Sequence, residues 1–286
     1  MIWLIGNKGM LGQELSDILS REGLEFIGTD REVDIRSLDT LRDYGKQKNI
    51  TWIINCSAYT AVDKAEDEEA FARSINATGA GNIATIAQEL GATMIHISTD
   101  YVFKGDGTRP YLESDPVDPQ GAYGRTKAEG EVLVQANCTK HFIIRTAWLY
   151  GKHGPNFVTT MLRLMKEKTS ISVVSDQRGT PTWAYDLASA IYAIVAAKAE
   201  TYGIYHFTNA GETTWHGFAS EIQRCGREMG ILEHDCEVLP ITSDKYPSKA
   251  KRPAWSVLYK EKIQKEFGII PPEWKTSLKE YLRGSL

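Results

Sequence analysis

The chain has 286 residues, of which 42% are hydrophobic and 24% charged, and its formal net charge is -4. This composition is that of a globular protein, and the length is sufficient for about two lobes. There is no basic tail and no run of like charges, so the sequence has no electrostatic footprint for nucleic acid. Any anionic substrate must therefore be held by a local basic patch.

Targeting and metal-binding signals are absent from the sequence. The first residues lack the basic and apolar segments of a signal peptide, and no apolar run approaches the roughly 20 residues that span a bilayer. The four cysteines are scattered and form no CxxC pair, which favours free thiols and a cytoplasmic protein. The histidines show no HxxxH pair, so we expect no catalytic metal. Because no apolar run is long enough to span a bilayer, we also expect no membrane partner.

The first half of the chain predicts short apolar strands that alternate with amphipathic helices. The predicted strands cover residues 2–6, 24–30, 51–55, 93–98 and 141–146. The predicted helices are one that ends at Gly23, one capped by Ser37, one long helix that carries Phe71 and ends at Gly91, and one over 123–136. This alternation predicts an α/β fold with a doubly wound parallel sheet, whose chemistry lies at the C-terminal ends of the strands.

Beyond Trp148 the pattern becomes less regular. It predicts a helix over 156–168, a strand over 171–175, a turn-rich loop over 176–182 and an apolar helix over 186–197. We assign residues 1–147 to the sheet domain, with 183–204 packing back onto it. Residues 148–182 and 205–286 are assigned to a second, smaller substrate-binding lobe, and the later part of this lobe is predicted to be irregular.

Three glycines follow the first predicted strand at GxxGxxG spacing, namely Gly6, Gly9 and Gly12. Glycine lets this turn adopt strained dihedrals, brings backbone N–H groups close to a phosphate and permits tight contact between helix and strand. With Asp30 at the end of the next strand, the arrangement predicts a Rossmann-type dinucleotide-binding domain. Asp30 is placed to bind an adenosine ribose, which favours NADH. Arg31 could instead pair with a 2′-phosphate, which favours NADPH, so the cofactor preference stays open.

Tyr123 and Lys127 lie four residues apart at the start of a predicted helix and therefore share one face. A phenol has a pKa of about 10, and a neighbouring ammonium lowers that pKa and can also hold a cofactor ribose. A hydroxyl must also hydrogen-bond the substrate carbonyl, and Ser98 and Thr99 are two candidates just past the fourth strand. The order of glycine loop, hydroxyls and tyrosine–lysine pair predicts a carbonyl reductase.

Several longer segments extend this pattern. They are GNKGMLG (6–12), NCSAYTAVDKAE (55–66), STDYVF (98–103), YGRTKAEGE (123–131), RTAWLYG (145–151), NFVTTML (156–162) and DQRGTPT (176–182). From Met1 to about Trp255 the chain resembles the extended short-chain dehydrogenase/reductase superfamily and, within it, the dTDP-4-dehydrorhamnose reductase family. The resemblance implies an NAD(P)H-dependent oxidoreductase of nucleotide-sugar and cell-surface polysaccharide biosynthesis. Its reaction would reduce the 4-keto group of dTDP-4-dehydrorhamnose to give dTDP-L-rhamnose.

The resemblance also implies a role for each matching position. The catalytic residues would be Thr99, Tyr123 and Lys127. The cofactor would be bound by Gly6, Gly9, Met10, Leu11, Gly12, Asp30, Arg31, Asp34, Ile35, Ala58, Tyr59, Thr60, Tyr123 and Lys127. The sugar would be touched by Thr99, Asp100, Tyr101 and Trp148, and Trp148 lies just past a strand, where an indole could wall the sugar or fill the core. Magnesium is implied only through the resemblance.

Lys249, Lys251 and Arg252 are the best local cations for a nucleotide diphosphate in this acidic chain. We assign Arg252 to the dTDP-sugar substrate, and a solvated basic turn is the alternative for the three. Asn156 and Gln177 are weaker candidates that could equally be structural.

Two other readings of the sequence stay open. One is a sugar-nucleotide dehydratase or epimerase of the same fold, and Asp100 is followed by Tyr101 where the dehydratase pattern carries a glutamate. The other is a non-catalytic regulatory subunit like that of methionine adenosyltransferase, which the fold alone does not exclude. The intact Thr99, Tyr123 and Lys127 favour an enzyme. For the oligomeric state we expect a monomer or a homodimer.

Overall fold

A computed structural model describes residues 1–284, and residues 285–286 of the predicted second lobe lie outside this range. The strands are β1 (Ile2–Ile5), β2 (Phe26–Thr29), β3 (Trp52–Asn55), β4 (Thr93–Thr99), β5 (His141–Thr146), β6 (Leu149–Tyr150), β7 (Ser170–Val174), β8 (Arg178–Gly179), β9 (Thr182–Trp183), β10 (Gly203–His206), β11 (Thr213–Thr214) and β12 (Glu237–Ile241). The α-helices are α1 (Met10–Arg21), α2 (Leu38–Gly45), α3 (Val62–Ala65), α4 (Glu69–Arg73), α5 (Ala80–Leu90), α6 (Ala122–Asn137), α7 (Phe157–Glu167), α8 (Ala184–Ala196), α9 (Trp215–Glu228), α10 (Glu261–Phe267) and α11 (Trp274–Arg283).

Six strands form one parallel sheet in the order β10-β5-β4-β3-β1-β2. The predicted α/β class and the parallel sheet are therefore confirmed. The chain runs outward from β1 to β2 and then returns to the other side of β1 to form β3. This reversal leaves a crevice beyond the carboxyl ends of β1 and β3, which is where open α/β sheets bind their ligands. The remaining strands form three short pairs, β6–β9, β7–β12 and β8–β11.

Helices cover both faces of the sheet. On one face, Leu15 of α1 and Ile191 of α8 pack in a core with the sheet strands, and on the other face Leu41 of α2 and Ile83 of α5 do the same. Both faces are apolar because a parallel sheet must be buried on both sides. A third core, which includes Phe218 of α9, lies outside the sheet.

The predicted boundary between residues 204 and 205 falls inside β10, which pairs with β5 at the edge of the main sheet. The strand was missed because it has only four residues and one partner, and its pairing with β5 is not visible in local sequence. The division of the chain into two lobes stays a prediction.

Three predictions of local structure were wrong. The long helix through Phe71 is broken into α4, a π-helical segment over Ser74–Gly79 and α5. A π turn contains more residues than an α turn, so it rotates the apolar stripe, and Phe71 is 46% exposed instead of buried. The region after β10, predicted as irregular, contains the fourteen-residue helix α9, which begins at a Thr214 cap. The turn-rich loop over 176–182 contains the two-residue strand β8.

Helix α6 is fastened to the sheet by a buried ion pair. Arg145 of β5 donates to both carboxylate oxygens of Glu131 at 2.9 and 2.7 Å, and both side chains are 3% exposed. The hydroxyl of Ser98 on β4 donates to the same carboxylate at 2.5 Å. A Cβ at Gly130 would lie 2.1 Å from the carbonyl oxygen of Asn76, so this glycine permits close contact with the π-helical segment.

No helix within residues 1–284 is long and apolar enough to cross a membrane. The four cysteines all carry free thiols, and three of them are buried.

We predict that Glu131→Gln lowers the free energy of unfolding by about 3–5 kcal/mol, because it leaves the Arg145 guanidinium buried without its counter-charge. Urea unfolding followed by circular dichroism measures this loss. The matched control is Glu129→Gln on the exposed face of the same helix, which removes a surface pair with Arg73 and should leave the midpoint nearly unchanged. Equal losses in the two variants would contradict the assignment.

Candidate active site

The three loop glycines play different structural parts at the end of β1. Gly6 has φ +79°, and a Cβ there would lie 2.7 Å from the backbone nitrogen of Ser57. A Cβ at Gly12 would lie 2.1 Å from the carbonyl oxygen of Gly6, so α1 can approach β1 only because this position is glycine. At Gly9 a Cβ would meet only one atom, at 3.4 Å, and the space beside it is open.

The first turn of α1 is suited to an anion. Its N-cap is Gly9, and the turn carries neither a capping side-chain hydrogen bond nor an acidic residue. The amides of the first turn therefore present partial positive charge to the crevice. Leu11 is 5% exposed and packs in the sheet core, so this predicted cofactor position can contact a phosphate only through its backbone. Met10 is partly exposed beside Gly151.

The predicted adenosine-side residues lie past β2, but their side chains differ in availability. Asp30 accepts a hydrogen bond from the backbone of Arg31, and the Arg31 side chain is exposed. The Arg36 guanidinium donates to both carboxylate oxygens of Asp34 at 2.7–2.8 Å, and these hydrogen bonds lower the pKa of Asp34. Ile35 is buried in the core of that face, so it offers only its backbone.

The segment after β3 is fixed by a residue that the sequence interpretation missed. Asn76, in the π-helical segment, accepts from the Tyr59 backbone amide at 2.8 Å and donates to its carbonyl at 3.1 Å. The same amide group donates to Thr126 of α6 at 3.1 Å. Asn76 therefore ties the backbone of Tyr59, which lies between Ala58 and Thr60, to α6. Its signal in the sequence was weak, because a single asparagine inside an apolar helix is rare but is not specific.

The two candidate hydroxyls at the end of β4 have separate tasks. Ser98 is used in the buried contact with Glu131 and is therefore not directed at a substrate. Thr99 donates to Asp100 at 2.9 Å and also hydrogen-bonds Tyr123, whose pKa it lowers. Burial raises the pKa of Asp100 to about 7, against the effect of the Thr99 hydrogen bond.

Tyr123 lies in the first turn of α6, and its ring packs edge-to-face against that of Tyr101, with the ring centroids 5.5 Å apart. Burial raises the pKa of Tyr123 to about 12, with the Thr99 hydrogen bond acting in the opposite direction. The phenol is therefore protonated at neutral pH and can donate a proton. Burial also raises the pKa of Tyr101.

Lys127 lies one turn further along the same face of α6 and is 1% exposed. Its ammonium nitrogen, Nζ, lies 2.6 Å from the carbonyl oxygen of Ile97 and 3.3 Å from Nε2 of His96, both on β4. Burial lowers the pKa of Lys127 to about 8, while the charge of Glu131 raises it. His96 was not among the predicted site residues, because a histidine inside an apolar strand is most simply read as core.

Trp148 stands two residues past β5 in a strained conformation, with φ +49°. Its indole stacks on Trp215 of α9, with ring centroids 3.6 Å apart and planes at 11°. A Cβ at Gly179 would lie 2.5 Å from this indole, so the glycine of DQRGTPT makes room for the ring. Left-handed backbone in a non-glycine residue costs about 1–2 kcal/mol, which the stacking offsets. The indole is partly exposed and therefore can form a wall.

Two of the three predicted cations are already paired with carboxylates. Arg252 donates to Asp63 at 3.0 Å, and Lys249 donates to Asp67 at 2.5 Å. Arg252 also shares a small pocket with Tyr101. Lys251 is exposed. The two weaker candidates for substrate contact have features typical of structural residues, because Asn156 forms a capping box at the start of α7 and Gln177 is buried.

Among residues 1–284, no group of three or more His, Cys, Asp or Glu side chains is arranged to hold a metal ion. Magnesium is implied by the resemblance alone, and we assign it no step.

Comparison with known proteins identifies close relatives over nearly the whole length. The family described as RmlD substrate binding domain matches residues 1–285. The dTDP-4-dehydrorhamnose reductase of Salmonella typhimurium is 40% identical, over 98% of this chain and 96% of the relative. The crystal structure of a dTDP-4-dehydrorhamnose reductase from Clostridium acetobutylicum has a TM-score of 0.94 and 42% identity, covering 99% of each chain. The enzyme from Bacillus anthracis, solved in complex with NADP, has a TM-score of 0.93 and 36% identity, covering 99% of this chain and 98% of that one.

We predict that two loop glycines separate folding from ligand binding. Gly12→Ala places a methyl group against the Gly6 backbone and should lower the melting temperature. Gly9→Ala meets open space, so its melting temperature should match the wild type, but its methyl group should obstruct a bound pyrophosphate and weaken dinucleotide binding about tenfold or more. Thermal unfolding and fluorescence titration measure the two effects. If a folded Gly9→Ala variant bound the dinucleotide with unaltered affinity, the glycine loop would not be part of the binding site.

Proposed function

The chain belongs to the RmlD substrate binding domain family, and we propose that it reduces the 4-keto group of dTDP-4-dehydrorhamnose with a reduced nicotinamide dinucleotide to give dTDP-L-rhamnose. The observation that carries the proposal is the convergence of Thr99, Tyr123 and Lys127 at the carboxyl edge of the sheet, beside an uncapped, glycine-lined helix N-terminus. Nothing in an ordinary core requires a buried lysine beside a partly buried tyrosine at that edge.

The glycine loop binds the pyrophosphate of the dinucleotide through the amides of the first turn of α1. The fit rests on the open space beside Gly9 and on the close approach that Gly6 and Gly12 permit. When bound, the dinucleotide supplies a hydride. Lys127 holds its ribose hydroxyls, and the segment 58–60, fixed by Asn76, closes one side of the binding crevice.

Tyr123 donates the proton that the sugar oxygen needs as the carbonyl is reduced. A general acid must be protonated at working pH, and burial ensures this by raising the pKa of Tyr123 to about 12. Thr99 orients the carbonyl and the phenol, because its hydroxyl lies between Tyr123 and Asp100. The Lys127 ammonium stabilises the phenolate that forms after proton transfer.

The sugar nucleotide lies against Asp100, Tyr101 and Trp148, and Arg252 binds its diphosphate. Trp148 is suited to this role because the stack with Trp215 holds its indole rigidly past the end of β5. Arg252 is within reach of a substrate beside Tyr101, because the two residues line the same small pocket, and Asp63 holds its guanidinium by a hydrogen bond. A diphosphate would compete with Asp63 for the guanidinium.

For the cofactor we propose a preference for NADPH. The Arg31 side chain is exposed at the adenosine end, whereas the Asp30 carboxylate is engaged by the Arg31 backbone amide. A relative has been solved with NADP, which supports the same preference. The cytoplasmic location and the monomeric or homodimeric state stay predictions from the sequence.

We predict that Tyr123→Phe lowers the turnover of dTDP-4-dehydrorhamnose by about 10²–10⁴-fold, because it removes the general acid while keeping the ring contact with Tyr101. The measurement is the loss of NADPH absorbance under saturating substrate. Tyr192→Phe is the control, since its hydroxyl donates to the exposed side chain of Glu22, and the rate of this variant should equal that of the wild type. A Tyr123→Phe enzyme with wild-type turnover would exclude this tyrosine from the mechanism.

We predict that Arg31→Ala raises the KM for NADPH by about 10–100-fold and leaves the KM for NADH nearly unchanged. A charge-assisted hydrogen bond to the 2′-phosphate contributes about 1.5–3 kcal/mol, and NADH has no such group. Steady-state kinetics with each cofactor provide the comparison, with Arg36→Ala as a neighbouring control whose charge already pairs with Asp34. A parallel rise for both cofactors would show that Arg31 does not distinguish them.

A further inference from the structure

A line of buried polar contacts runs from the active-site lysine into the sheet. Nζ of Lys127 lies 3.3 Å from Nε2 of His96, and Nδ1 of the same ring lies 3.0 Å from Nδ2 of Asn55 at the end of β3. His96 and Asn55 are each 1% exposed. Polar groups at this depth are expensive unless each one is paired, so the donors and acceptors along the line must match.

The orientation of the Asn55 amide is fixed from its other side. Its oxygen, Oδ1, accepts from the Ser57 backbone amide at 3.0 Å and from the Ser57 hydroxyl at 2.6 Å. If the amide were turned over, its NH₂ group would face the N–H of Ser57, donor against donor. Asn55 therefore presents its NH₂ group to His96, and Nδ1 of the ring must accept.

The proton of the neutral ring then lies on Nε2, and this N–H points at Nζ of Lys127. Burial, together with the neighbouring Lys127, holds the pKa of His96 well below its usual range, so the ring stays neutral. An ammonium has only donors, whereas a neutral amine has one lone pair. The ring N–H therefore stabilises the amine form of Lys127, which donates to the Ile97 carbonyl at 2.6 Å.

We propose that His96 is a positioning residue for the reduction: Asn55 holds the ring in its Nε2–H tautomer, and the ring fixes both where the Lys127 nitrogen sits and how readily it binds a proton. The kinetic part of this inference rests on the proposed function. A lysine that titrates near neutral pH can act in its ammonium form and return a proton to the Tyr123 phenolate after each turnover. The amine that results then regains a proton from water.

The other ionisable groups around α6 do not account for this behaviour. On the helix itself, Glu131 favours the ammonium, but its charge is paired with Arg145. Cys56 past β3 stays a thiol, because burial raises its pKa to about 12. Most of the other titratable groups on elements packed against α6 have partners of their own: Glu66 the Ala122 amide, Glu69 Arg125, Arg73 Glu129, Glu89 Arg42, Asp63 Arg252, Asp100 Thr99 and His141 the Cys138 carbonyl. Lys64 is exposed to solvent, and Tyr101 packs on Tyr123.

The kinetic test is the pH dependence of kcat/KM for the sugar nucleotide with saturating NADPH. In the wild type, the rate should fall about tenfold per pH unit above about pH 8, as Lys127 loses its proton. His96→Leu removes the N–H that favours the amine, so this alkaline limb should move up by about one pH unit. In Asn55→Asp the carboxylate accepts a hydrogen bond from Nδ1–H and so favours the opposite tautomer, which should move the limb further in the same direction.

His206→Gln is the matched control, since His206 is also fully buried in the same sheet but lies on β10, which β5 separates from the β4 strand of His96. Its alkaline limb should coincide with that of the wild type. If His96→Leu and Asn55→Asp only lower the rate at every pH, with the limb unmoved, His96 is a structural residue and the proposal is wrong.

A second measurement does not depend on catalysis. Two-bond ¹⁵N–¹H correlation spectra of the ¹⁵N-labelled full-length protein with NADP⁺ report which ring nitrogen of each histidine carries the proton, and His96→Leu or Asn55→Asp identifies the signal of His96. We expect a neutral Nε2–H ring between about pH 6 and pH 9. An Nδ1–H ring or an imidazolium would overturn the proposal. An inactive wild type would instead contradict the proposed function while leaving this spectrum to decide the tautomer.

Discussion

The buried ion pair between Glu131 and Arg145 holds the reactive part of the molecule in place. Tyr123, Lys127 and Glu131 follow one another at intervals of four residues, so the reacting groups and the anchor occupy one face of α6. Arg145 and Ser98 hydrogen-bond Glu131 at the C-terminal end of that face, which leaves Tyr123 at the crevice and Lys127 against β4. A change in the seating of the helix would move all three side chains together.

Local sequence signals were enough to predict most of the sheet. Strands β1 to β5 are short apolar runs, and the helices between them begin or end at residues with clear capping chemistry, such as Ser37 and Gly91. Helix α9 was missed for a physical reason: its glycines 217 and 226 lower helix propensity, but Thr213 and Leu232 pack into the space they leave. The π-helical segment before α5 was missed because its close contact with Gly130 of α6 is visible only in the fold.

The site shows the same division between local and spatial information. The glycine loop and the Tyr123–Lys127 pair have recognisable spacing, because each is contained in one turn or one helix. His96 and Asn55 became visible only when parallel pairing placed them in register on adjacent strands, where Asn55 lies opposite His96. Likewise, the sequence could not show that Ser98 is consumed by an ion pair, or that Trp215 supports Trp148 from a distant helix.

In the proposed reaction, a hydride reaches C4 of the keto sugar at the edge of this sheet. The most direct measurement uses NADPH carrying deuterium at the transferable C4 position of the nicotinamide, with dTDP-4-dehydrorhamnose as the acceptor and NMR of the product. We expect dTDP-L-rhamnose with one deuterium at C4 of the sugar for each NADPH consumed. Consumption of NADPH without label at that carbon, or no consumption with either NADPH or NADH, would contradict it.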